Sequence, residues 1–479
     1  MDIPKDNFSD WYNTVLKEAE LCDLRYNVKG FVVIMPNAAD VISRMYRIYE
    51  DELEKKGHRK SYFPALISEK NLEAEKEHVE GFAPEVFWVT RAGNNELEEK
   101  MILRPTSETA MYPMYSLWIN GRCDLPLKVY QSCQVWRYET KATKPLIRGR
   151  EFYWIEAHNV FADEAGVLAQ VKEDMETTEE MIHHSFGIPF IFFQRPQWDK
   201  FAGAVNTYAA DTMMPDGKTL QLPSTHNLGT NFAKVFNVNY MDDDGEEKPG
   251  WQTCYGPCIS RIFAATVSIH GDNKGMILPF HLANVQVAVV PILRKEGADE
   301  VISFAQTITE KISRKYRVVA DFTENTPGFK YNFWELNGAA IRVEIGARDI
   351  ESRKAVVVRR DTREKEFVPF DDLPKRIGEI GEEMNNAIRE KADAWFATML
   401  KEADTLEELK SAVENGGGFV KIPFCTDSLE GEACAEKIKE ECSANIRGSK
   451  YDANEKPSGK KCVVCGKDAT TYQYAARQY

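Results

Sequence analysis

Residues 133–152 collect charged side chains of the kind that bind phosphate groups. The stretch reads CQVWRYETKATKPLIRGREF, and its charged residues are Arg137, Glu139, Lys141, Lys144, Arg148, Arg150 and Glu151. Arginine presents a planar fork of donors that matches phosphate oxygens, and a nearby glutamate can fix that fork or hold an amino group or Mg²⁺. The same pattern also fits a solvated hairpin whose charges pair with one another. The loop therefore indicates either an anion-binding site or an ordinary charged turn.

Two other segments carry a carboxylate beside a second polar group. In RPTSE, Thr106 and Glu108 would face the same side of an extended chain and could hold an ammonium or imino group. The alternative for RPTSE is the N-terminal cap of a helix. In WIEAH, Glu156 and His158 would lie on one face of a strand.

Two later segments could complete a nucleotide site. The segment LQLPSTHNLG carries Gln221, Ser224 and His226, although a histidine in such a strand is more often structural. The segment CYGPCISRIFAA places Arg261 at the start of an apolar helix. A guanidinium and a helix N-terminus at that point could meet the γ-phosphate of ATP.

The C-terminal segment contains a cysteine pattern typical of a structural zinc site. Cys462 and Cys465 form a C-x2-C knuckle. Cys425 and Cys434 would complete four thiolates, with Cys442 as an alternative to Cys434. Four thiolates leave no open coordination position, so a structural role is expected, and the alternative is a group of free thiols. The remaining cysteines are expected to be packing residues: Cys22, Cys123, Cys133, Cys254 and Cys258.

The elements that must position these residues alternate between helices and short strands. The patterns predict a helix over residues 8–24 and strands over residues 61–66, 128–139, 151–161, 217–228 and 250–256. Short loops between several strands favour antiparallel pairing, whereas the apolar run VQVAVVPI is typical of a buried parallel strand. The chain is therefore predicted to be α+β, with domains at residues 1–282, 283–390 and 391–479.

Composition and charge restrict the class of protein. With 479 residues, 43% hydrophobic and 28% charged, the chain is typical of a globular protein of several domains. Its formal charge of -14 speaks against broad nonspecific binding of nucleic acid. It has no run of eighteen apolar residues, so no membrane span is expected. The start, MDIPKDNFSDWY, is unlike a secretory signal, and ten cysteines then favour a reducing, cytoplasmic compartment.

Taken in this order, the segments resemble class II aminoacyl-tRNA synthetases, and specifically prolyl-tRNA synthetases of the archaeal and eukaryotic type. GHRKSYFPAL is similar to motif 1, with Pro64 at the dimer interface. WRYETKATKPLIRGREF is similar to motif 2, with Arg137 and Glu139, and YGPCISR to motif 3, with Arg261. RPTSE resembles the proline-binding loop of the family, and PGFKYNFWELNGAAIRVEIGARD resembles its anticodon-binding domain. The resemblance covers nearly the whole chain.

The resemblance implies a fold and a set of residue roles. The fold is an antiparallel class II catalytic sheet flanked by helices, then an α/β anticodon-binding domain and a small α/β zinc-binding C-terminal domain. The residues implied to bind proline are Thr106, Glu108, Arg137, Glu156, His158 and His226. Those implied to bind ATP are Arg137, Glu139, Arg148, Glu151, Gln221, Ser224 and Arg261, with Gln221 also at Mg²⁺. Arg137 and Arg261 are the implied catalytic residues.

The implied reaction activates proline with ATP and transfers it to the tRNA for proline. The other implied partners are Mg²⁺, a structural Zn²⁺ and a second copy of the chain. Because proline is small and mostly apolar, misactivation of cysteine or alanine is expected. Only about a hundred residues separate Glu151 from Trp251, so the large editing insertion of bacterial relatives has no room and editing would act in trans. The rival hypothesis is a catalytically silent, synthetase-like tRNA-binding protein.

The predicted anticodon region carries basic and aromatic side chains that could contact tRNA. Its basic residues are Arg342, Arg348, Arg353, Lys354, Arg359, Arg360, Arg363 and Lys365. Contacts from such residues to phosphates give affinity without sequence preference. Phe329 and Trp334 could stack on bases, and core packing is the alternative for both.

Overall fold

The computed structural model describes residues 4–73, 86–140, 142–294, 296–453 and 455–479. Lys141, one of the cations of the charged loop, lies outside the described residues. Within these ranges, no helix is long and apolar enough to cross a membrane.

The first part of the chain supplies most of the strands of one large sheet. Its described strands are β1 (Cys22–Asp23), β2 (Val33–Ile34), β3 (Arg59–Lys60), β4 (Leu66–Ser68), β5 (Phe87–Ala92), β6 (Asn95–Leu103), β7 (Leu127–Trp136), β8 (Glu151–Phe161), β9 (Ile191–Gln194), β10 (Asn206–Met213), β11 (Thr219–Gly229), β12 (Asn239–Met241), β13 (Glu247–Pro249) and β14 (Trp251–Tyr255). Its described helices are α1 (Phe8–Glu18), α2 (Pro36–Lys55), α3 (Glu69–Glu73), α4 (Glu108–Trp118), α5 (Glu164–Thr178), α6 (Asn231–Phe236) and α7 (Ile259–His270). A π-helical turn, Glu179–Ser185, continues from α5.

The large sheet confirms the prediction of antiparallel pairing. Its order from one edge is β3–β7–β8–β14–β11–β10–β9. The pairs from β7 to β9 are antiparallel, and β3 joins β7 in parallel at the edge. The register sets Cys254 opposite both His158 and His226, so these three residues lie side by side on neighbouring strands.

The two faces of this sheet have different roles because strand residues alternate in direction. Ile155 and Ala157 of β8 belong to the main hydrophobic core, together with residues of α2 and α7. Glu156 and His158 alternate with these two residues along β8 and therefore point to the opposite face. Helix α7 is buried along nearly all its length, which suits its apolar sequence. Helices α2 and α7 therefore cover one face, whereas α4 and α6 pack on the other face around Val160 and leave room beside them for the polar residues.

A second, smaller sheet follows. Its strands are β15 (Val287–Pro291), β16 (Val318–Ala320), β17 (Ile341–Ile345), β18 (Lys354–Arg359) and β19 (Lys365–Pro369), and the helices of this region are α8 (Ala298–Ser313), α9 (Pro327–Leu336), α10 (Ala347–Ser352) and α11 (Leu373–Thr398). The order is β16–β15–β17–β18–β19. Strand β15 is buried throughout and parallel to both neighbours, which confirms the prediction for VQVAVVPI.

The C-terminal region extends the large sheet. It contains β20 (Leu400–Glu402), β21 (Phe419–Phe424), β22 (Asn445–Lys450), β23 (Thr471–Ala476), α12 (Leu406–Glu414) and α13 (Glu432–Cys442). Strand β22 pairs with β9, with Ser449 opposite Gln194 and Lys450 opposite Phe193. The ring of Phe193 also lies 5.1 Å from that of Tyr474 and 5.2 Å from that of Phe419, measured between centroids. Hydrogen bonds and aromatic packing therefore join this region to the catalytic sheet.

Two sequence predictions near the N-terminus were wrong in their bounds. The helix predicted over residues 8–24 ends at Glu18, because Glu20 has a left-handed φ of 52° and the chain then enters β1. The strand predicted over residues 61–66 is absent from the described structure there, and β4 begins only at Leu66. Pro64 lacks the backbone donor that a central strand needs.

Asp174 of α5 is buried beneath β11, and its environment predicts a pH dependence of stability. Its carboxyl accepts hydrogen bonds from Thr225 (2.7 Å) and Gln170 (2.8 Å), but burial raises its pKa to about 7. In the unfolded chain an aspartate has a pKa of ~4. Between pH ~4 and 7 the folded protein therefore binds a proton at Asp174 that the unfolded chain has released. The contribution of Asp174 to the free energy of unfolding is therefore greatest near pH ~4 and falls as pH rises towards 7.

The D174N variant tests this dependence. Asparagine keeps the shape without a charge; its Oδ1 can accept from Gln170, and its Nδ2 can donate to the Thr225 hydroxyl, which reverses that hydrogen bond. We therefore expect its urea midpoint to exceed that of the wild type at pH 8 and to match it near pH 4. Urea unfolding followed by circular dichroism across this range would measure the difference. Parallel pH profiles for the two proteins would contradict the assignment.

Candidate active site

A cavity of about 140 Å³ opens on the face of the large sheet that carries Glu156 and His158. Its lining includes most of the residues predicted to bind proline or ATP: Thr106, Glu108, Arg137, Glu156, His158, Gln221, Ser224, His226 and Arg261. Arg148 lines an adjoining cavity of about 290 Å³, and Arg148 and Glu151 line a third of about 190 Å³. Glu139 lies 3.6 Å from Arg148. The fold therefore gathers these residues around three neighbouring cavities.

Thr106 and Glu108 meet, although the backbone between them is not extended. Glu108 begins α4, and Ser107 is its N-cap residue, so the helix-cap alternative describes the local backbone. The Thr106 hydroxyl lies 2.5 Å from Glu108 Oε2, and both side chains are buried. The Ser107 hydroxyl does not cap the helix but donates to Glu156 Oε2. The helix start thus sets the Glu108 carboxylate and the Thr106 hydroxyl at the cavity, while the Ser107 hydroxyl holds Glu156 in place.

Glu156 is the centre of this polar cluster. Its Oε1 accepts the backbone N–H of Ser107 at 3.0 Å and lies 2.9 Å from the Thr106 hydroxyl. Burial would raise the pKa of Glu156, but His158 and the Ser107 and Thr106 hydrogen bonds outweigh it and hold the pKa well below its ordinary value. For His158, burial acts to lower the pKa, but Glu156 and Glu108 raise it above its usual value. Glu156 is therefore an ionised acceptor inside the site.

His226 forms a fixed, neutral wall of the cavity. Its Nδ1 lies 2.8 Å from the Thr207 hydroxyl, and its Nε2 lies 3.0 Å from the Ser224 hydroxyl. Burial lowers its pKa to about 3, so the ring carries no charge at neutral pH. The ring of Phe201 packs against it with centroids 4.8 Å apart.

Arg137, just after the end of β7, lies over two neighbouring aromatic rings of β8. Its guanidinium carbon lies 5.3 Å from the ring centroid of Phe152 and 5.4 Å from that of Trp154. Its Nε donates to the backbone oxygen of Pro105 at 3.1 Å. Such cation–π contacts and a backbone anchor orient the planar fork towards the cavity.

Arg261 and Arg148 line the larger, strongly cationic cavity. Arg261 lies in the first turn of α7, and its Nε donates to the backbone oxygen of Ile147 at 3.0 Å. Arg148 donates to the main-chain oxygen of Tyr479, whose hydroxyl lies 2.6 Å from Asp216 Oδ1. The other cations of this cavity are Arg195, Lys200 and Arg447. A space with this excess of positive charge suits a polyphosphate.

Three charged residues behind this cavity had no signal in the sequence. Arg195 donates to Asp211 with two nitrogens, at 2.7 and 3.0 Å, and Arg447 donates to Asp211 at 2.8 Å. All three are almost fully buried. Arg195 also donates to the Gln221 amide oxygen at 3.0 Å, so the cluster fixes a predicted ATP-binding side chain. Arg447 comes from β22, far along the chain, and no local spacing could have indicated it.

Cys254 also lines the cavity, although the sequence classed it as a packing residue. Its sulfur and the nearest ligand atoms of Glu108 and His158 all lie within 4.8 Å of one another. Burial raises the pKa of this thiol well above its ordinary value, so it is protonated. The signal missed was strand register, which sets Cys254 beside His158 and His226.

The cysteine pattern of the C-terminal segment forms a compact cluster. The sulfur atoms of Cys425, Cys434, Cys462 and Cys465 all lie within 4.8 Å of one another. Cys442, the alternative to Cys434, is buried at the end of α13 and points to the backbone oxygen of Leu406 at 3.9 Å instead. The geometry therefore favours Cys434 as the partner of the C-x2-C knuckle.

The basic residues of the second sheet are largely paired inside the protein. Arg342 contacts Glu335 and Glu344, both at 3.0 Å. Arg360 and Arg363 both bind Asp272, at 2.7 and 2.6 Å. The charge count therefore overstated the positive surface, because a sequence does not show which acids face which bases. Phe329 is 56% exposed, whereas Trp334 is partly buried and donates to Asp321 at 3.0 Å.

Family models match three stretches of the chain. Residues 87–270 match the class II core domain of tRNA synthetases for G, H, P, S and T, residues 286–380 match an anticodon binding domain, and residues 406–479 match the C-terminal domain of prolyl-tRNA synthetase.

Curated proteins and solved structures are similar over nearly the whole chain. The proline–tRNA ligase of Thermofilum pendens is 48% identical over 99% of this chain and 98% of its own length. That of Pyrococcus abyssi is 42% identical with the same coverage. The structure of Giardia lamblia prolyl-tRNA synthetase in complex with prolyl-adenylate is 35% identical, with a TM-score of 0.95 over 100% of this chain and 99% of that one. With similarity of this extent, the chain belongs to the prolyl-tRNA synthetase family of class II tRNA synthetases.

Proposed function

We propose that the protein is a proline–tRNA ligase, which activates proline with ATP and transfers it to the 3′ end of the tRNA for proline. One observation carries the proposal: a small cavity with two carboxylates and a stacked arginine adjoins a cationic cavity suited to a triphosphate. The smaller cavity suits one small amino acid. The larger supplies the positive charge that ATP needs.

The smaller cavity would hold proline by its two charged ends. The Glu108 carboxylate and the Thr106 hydroxyl would accept hydrogen bonds from the imino group of proline. Glu156 and His158 would orient these two side chains. Arg137 would bind the proline carboxylate and turn it towards the α-phosphate. The neutral ring of His226 would close the pocket without adding charge.

The larger cavity would bind the phosphates and the charge that develops on them. We assign Arg137 and Arg148 to the α-phosphate side, Arg261 to the γ-phosphate, and Glu139, Glu151, Gln221 and Ser224 to the rest of ATP and its Mg²⁺. Carboxylate and amide oxygens fit that ion, which would neutralise phosphate charge. The proline carboxylate attacks the α-phosphorus and pyrophosphate leaves. The terminal adenosine hydroxyl of tRNA then attacks the adenylate carbonyl, the bond from that carbonyl to the phosphate oxygen breaks, and AMP leaves. Positioning and charge stabilisation supply the catalysis, since the scheme uses no enzyme nucleophile.

Amino-acid-dependent ATP–pyrophosphate exchange tests this function. We expect strong exchange with proline, weak exchange with cysteine and alanine, and none above background with threonine. The pocket can reject a smaller or isosteric amino acid only by about 1–3 kcal/mol, which is why weak misactivation is expected. A folded protein without proline-dependent exchange would favour the catalytically silent tRNA-binding protein, which no feature of this site supports.

We also propose that the cysteine cluster binds one structural Zn²⁺. Four sulfur atoms this close, and a knuckle of the C-x2-C type, fit a tetrahedral site without an open position. The C462S variant should lose the zinc and melt at a lower temperature, because an incomplete set of thiolates cannot hold the ion. Metal analysis and calorimetry would measure both effects. C442S is the matched control and should keep its zinc, whereas loss from both variants would contradict this ligand set.

We also propose that two copies of the chain associate at the edge of the large sheet formed by β3. Several large hydrophobic side chains are exposed near it, among them Tyr62 (78%) and Leu117 (68%). The ring of Phe63, next to Pro64, packs on Trp118 with centroids 5.9 Å apart. An apolar surface of this kind beside an unpaired strand favours association with a second copy. Analytical ultracentrifugation should give twice the chain mass, and a monomer at micromolar concentration would contradict the proposal.

We also propose how the protein contacts tRNA, how mischarged tRNA is corrected and where the reaction takes place. Phe329 and the neighbouring Phe333, which is 44% exposed, offer rings for base stacking on α9. Correction of mischarged tRNA would fall to a separate factor acting in trans. The reaction would take place in the cytoplasm, where thiols stay reduced and can ligate zinc.

A further inference from the structure

A second group of metal-binding residues lies on the π-helical turn Glu179–Ser185, away from the active site and the cysteine cluster. Glu179, His183 and His184 each offer one ligand atom, and these atoms all lie within 4.8 Å of one another. Glu179 Oε1 is 2.7 Å from His183 Nδ1 and 3.9 Å from His184 Nε2. The side chains of Glu179 and His184 are about half exposed, so an ion could reach them from solvent.

The π-helical backbone explains why both histidines face one glutamate. In an α-helix, residue i+4 lies near residue i, but residue i+5 points well away from it. A π-helical turn closes hydrogen bonds between residues five apart, as the Phe186 N–H does with the Met181 oxygen at 3.0 Å. His183 and His184, four and five residues after Glu179, can therefore both turn to its carboxylate. Single π-helical turns of this kind are rare and occur often at functional sites.

A second carboxylate orients the nearer histidine from another element. His183 Nε2 lies 2.9 Å from Oδ1 and 3.1 Å from Oδ2 of Asp393, which belongs to α11. A metal-bound histidine commonly donates its other ring N–H to a carboxylate in this way, which fixes the ring and its tautomer. Arg389 of α11 also donates to the His184 backbone oxygen at 3.4 Å. His183 thus already has the outer carboxylate partner of a metal-bound histidine, and Arg389 joins α11 to the backbone of His184.

We propose that Glu179, His183 and His184 form a binding site for a divalent transition-metal cation such as Zn²⁺. Two imidazoles and one carboxylate suit zinc, cobalt or nickel rather than Mg²⁺, which prefers oxygen ligands. Water would complete the coordination. The ion replaces the proton that otherwise lies between His183 Nδ1 and Glu179, and that proton is released to solvent.

The site would fasten α11 to the catalytic region. His183 binds Asp393 of α11 through its Nε2, and its Nδ1 faces Glu179 on the π-helical turn. An ion held by Glu179, His183 and His184 would therefore fix the ring that joins the turn to this helix.

Equilibrium dialysis of untagged protein against Zn²⁺ at pH 7.5 tests the proposal. We expect one more ion per chain in the wild type than in H184N or E179Q, whatever the cysteine cluster holds. The D393N variant should retain the ion with an affinity lowered about 10- to 100-fold. Glu176 is an exposed carboxylate one turn earlier that pairs with Lys172. Its variant E176Q is the matched control and should bind as much zinc as the wild type.

Co²⁺ provides a second readout. A site of nitrogen and oxygen ligands gives weak visible bands without the thiolate charge-transfer absorption of a cysteine site, and H184N should lose those bands alone. Equal zinc stoichiometry in the wild type and H184N, or cobalt bands that survive both H184N and E179Q, would overturn the proposal. The variants replace partly exposed side chains, so folding should be intact, which circular dichroism would verify.

Discussion

Replacing Arg137 with alanine is expected to reduce proline-dependent ATP–pyrophosphate exchange about a thousandfold. The Arg137 guanidinium lies over the rings of Phe152 and Trp154 and lines the cavity that Glu108 and Arg261 also line. In the proposed reaction it binds the attacking carboxylate and stabilises the negative charge that develops at the α-phosphate. Its loss should lower kcat, because that charge develops only in the transition state, and raise KM for proline, because the bound carboxylate loses its partner.

Two further variants make the test of Arg137 specific. R137K keeps the charge but loses the planar fork, so it should remain at least about 100-fold below the wild type. R25A removes an exposed arginine that pairs only with Asp23 at the surface, and should leave exchange unchanged. Near-normal exchange in R137A, with folding intact, would remove Arg137 from the catalytic residues.

The D211N variant is expected to lower the free energy of unfolding by about 3–5 kcal/mol. Asp211 is fully buried between Arg195 and Arg447, and it accepts three hydrogen bonds from them. Burial acts to raise its pKa, but the charges of the two arginines outweigh burial and lower it, so the carboxylate is ionised. Asparagine would leave two buried guanidinium groups facing each other without a counter-charge. Urea unfolding at pH 7 would measure the loss.

D199N serves as the matched control for Asp211. Asp199 lies 4.0 Å from Arg195 but is about half exposed, so its loss should cost less than about 1 kcal/mol. The double variant D211N/R447M should recover part of the stability, because it removes one of the two uncompensated charges. A D211N midpoint within experimental error of the wild type would show that the cluster does not stabilise the fold. Because Arg195 binds Gln221, D211N should also raise KM for ATP.

The sequence predicted those site residues whose relation depends on local geometry. Glu156 and His158 share a strand face because strands repeat every two residues, and Cys462 and Cys465 meet because a knuckle brings them together. The antiparallel sheet followed from the short loops between its strands, and the buried strand β15 followed from its apolar run. Resemblance supplied the roles of Arg137 and Arg261, which no spacing could give.

Features that depend on pairing between distant segments could not be predicted. Cys254 enters the cavity only through its register with β8 and β11. Arg447 lies 236 positions after Asp211, the residue it binds. Glu156 meets Ser107, 49 positions earlier, through a side-chain contact that no local pattern showed. Each depends on tertiary packing, which overrides local preference.

The junction between β22 and β9 has a consequence for how the chain is made on the ribosome. Strand β9 ends at Gln194, whereas β22 begins at Asn445, 251 residues later. At ordinary rates of translation, β9 therefore waits about 10 to 50 s before its neighbour leaves the ribosome. During that time the catalytic sheet presents an open edge to other nascent chains. Synonymous codons that slow translation between the two strands should thus lower the yield of soluble protein more than equally slow codons after β22.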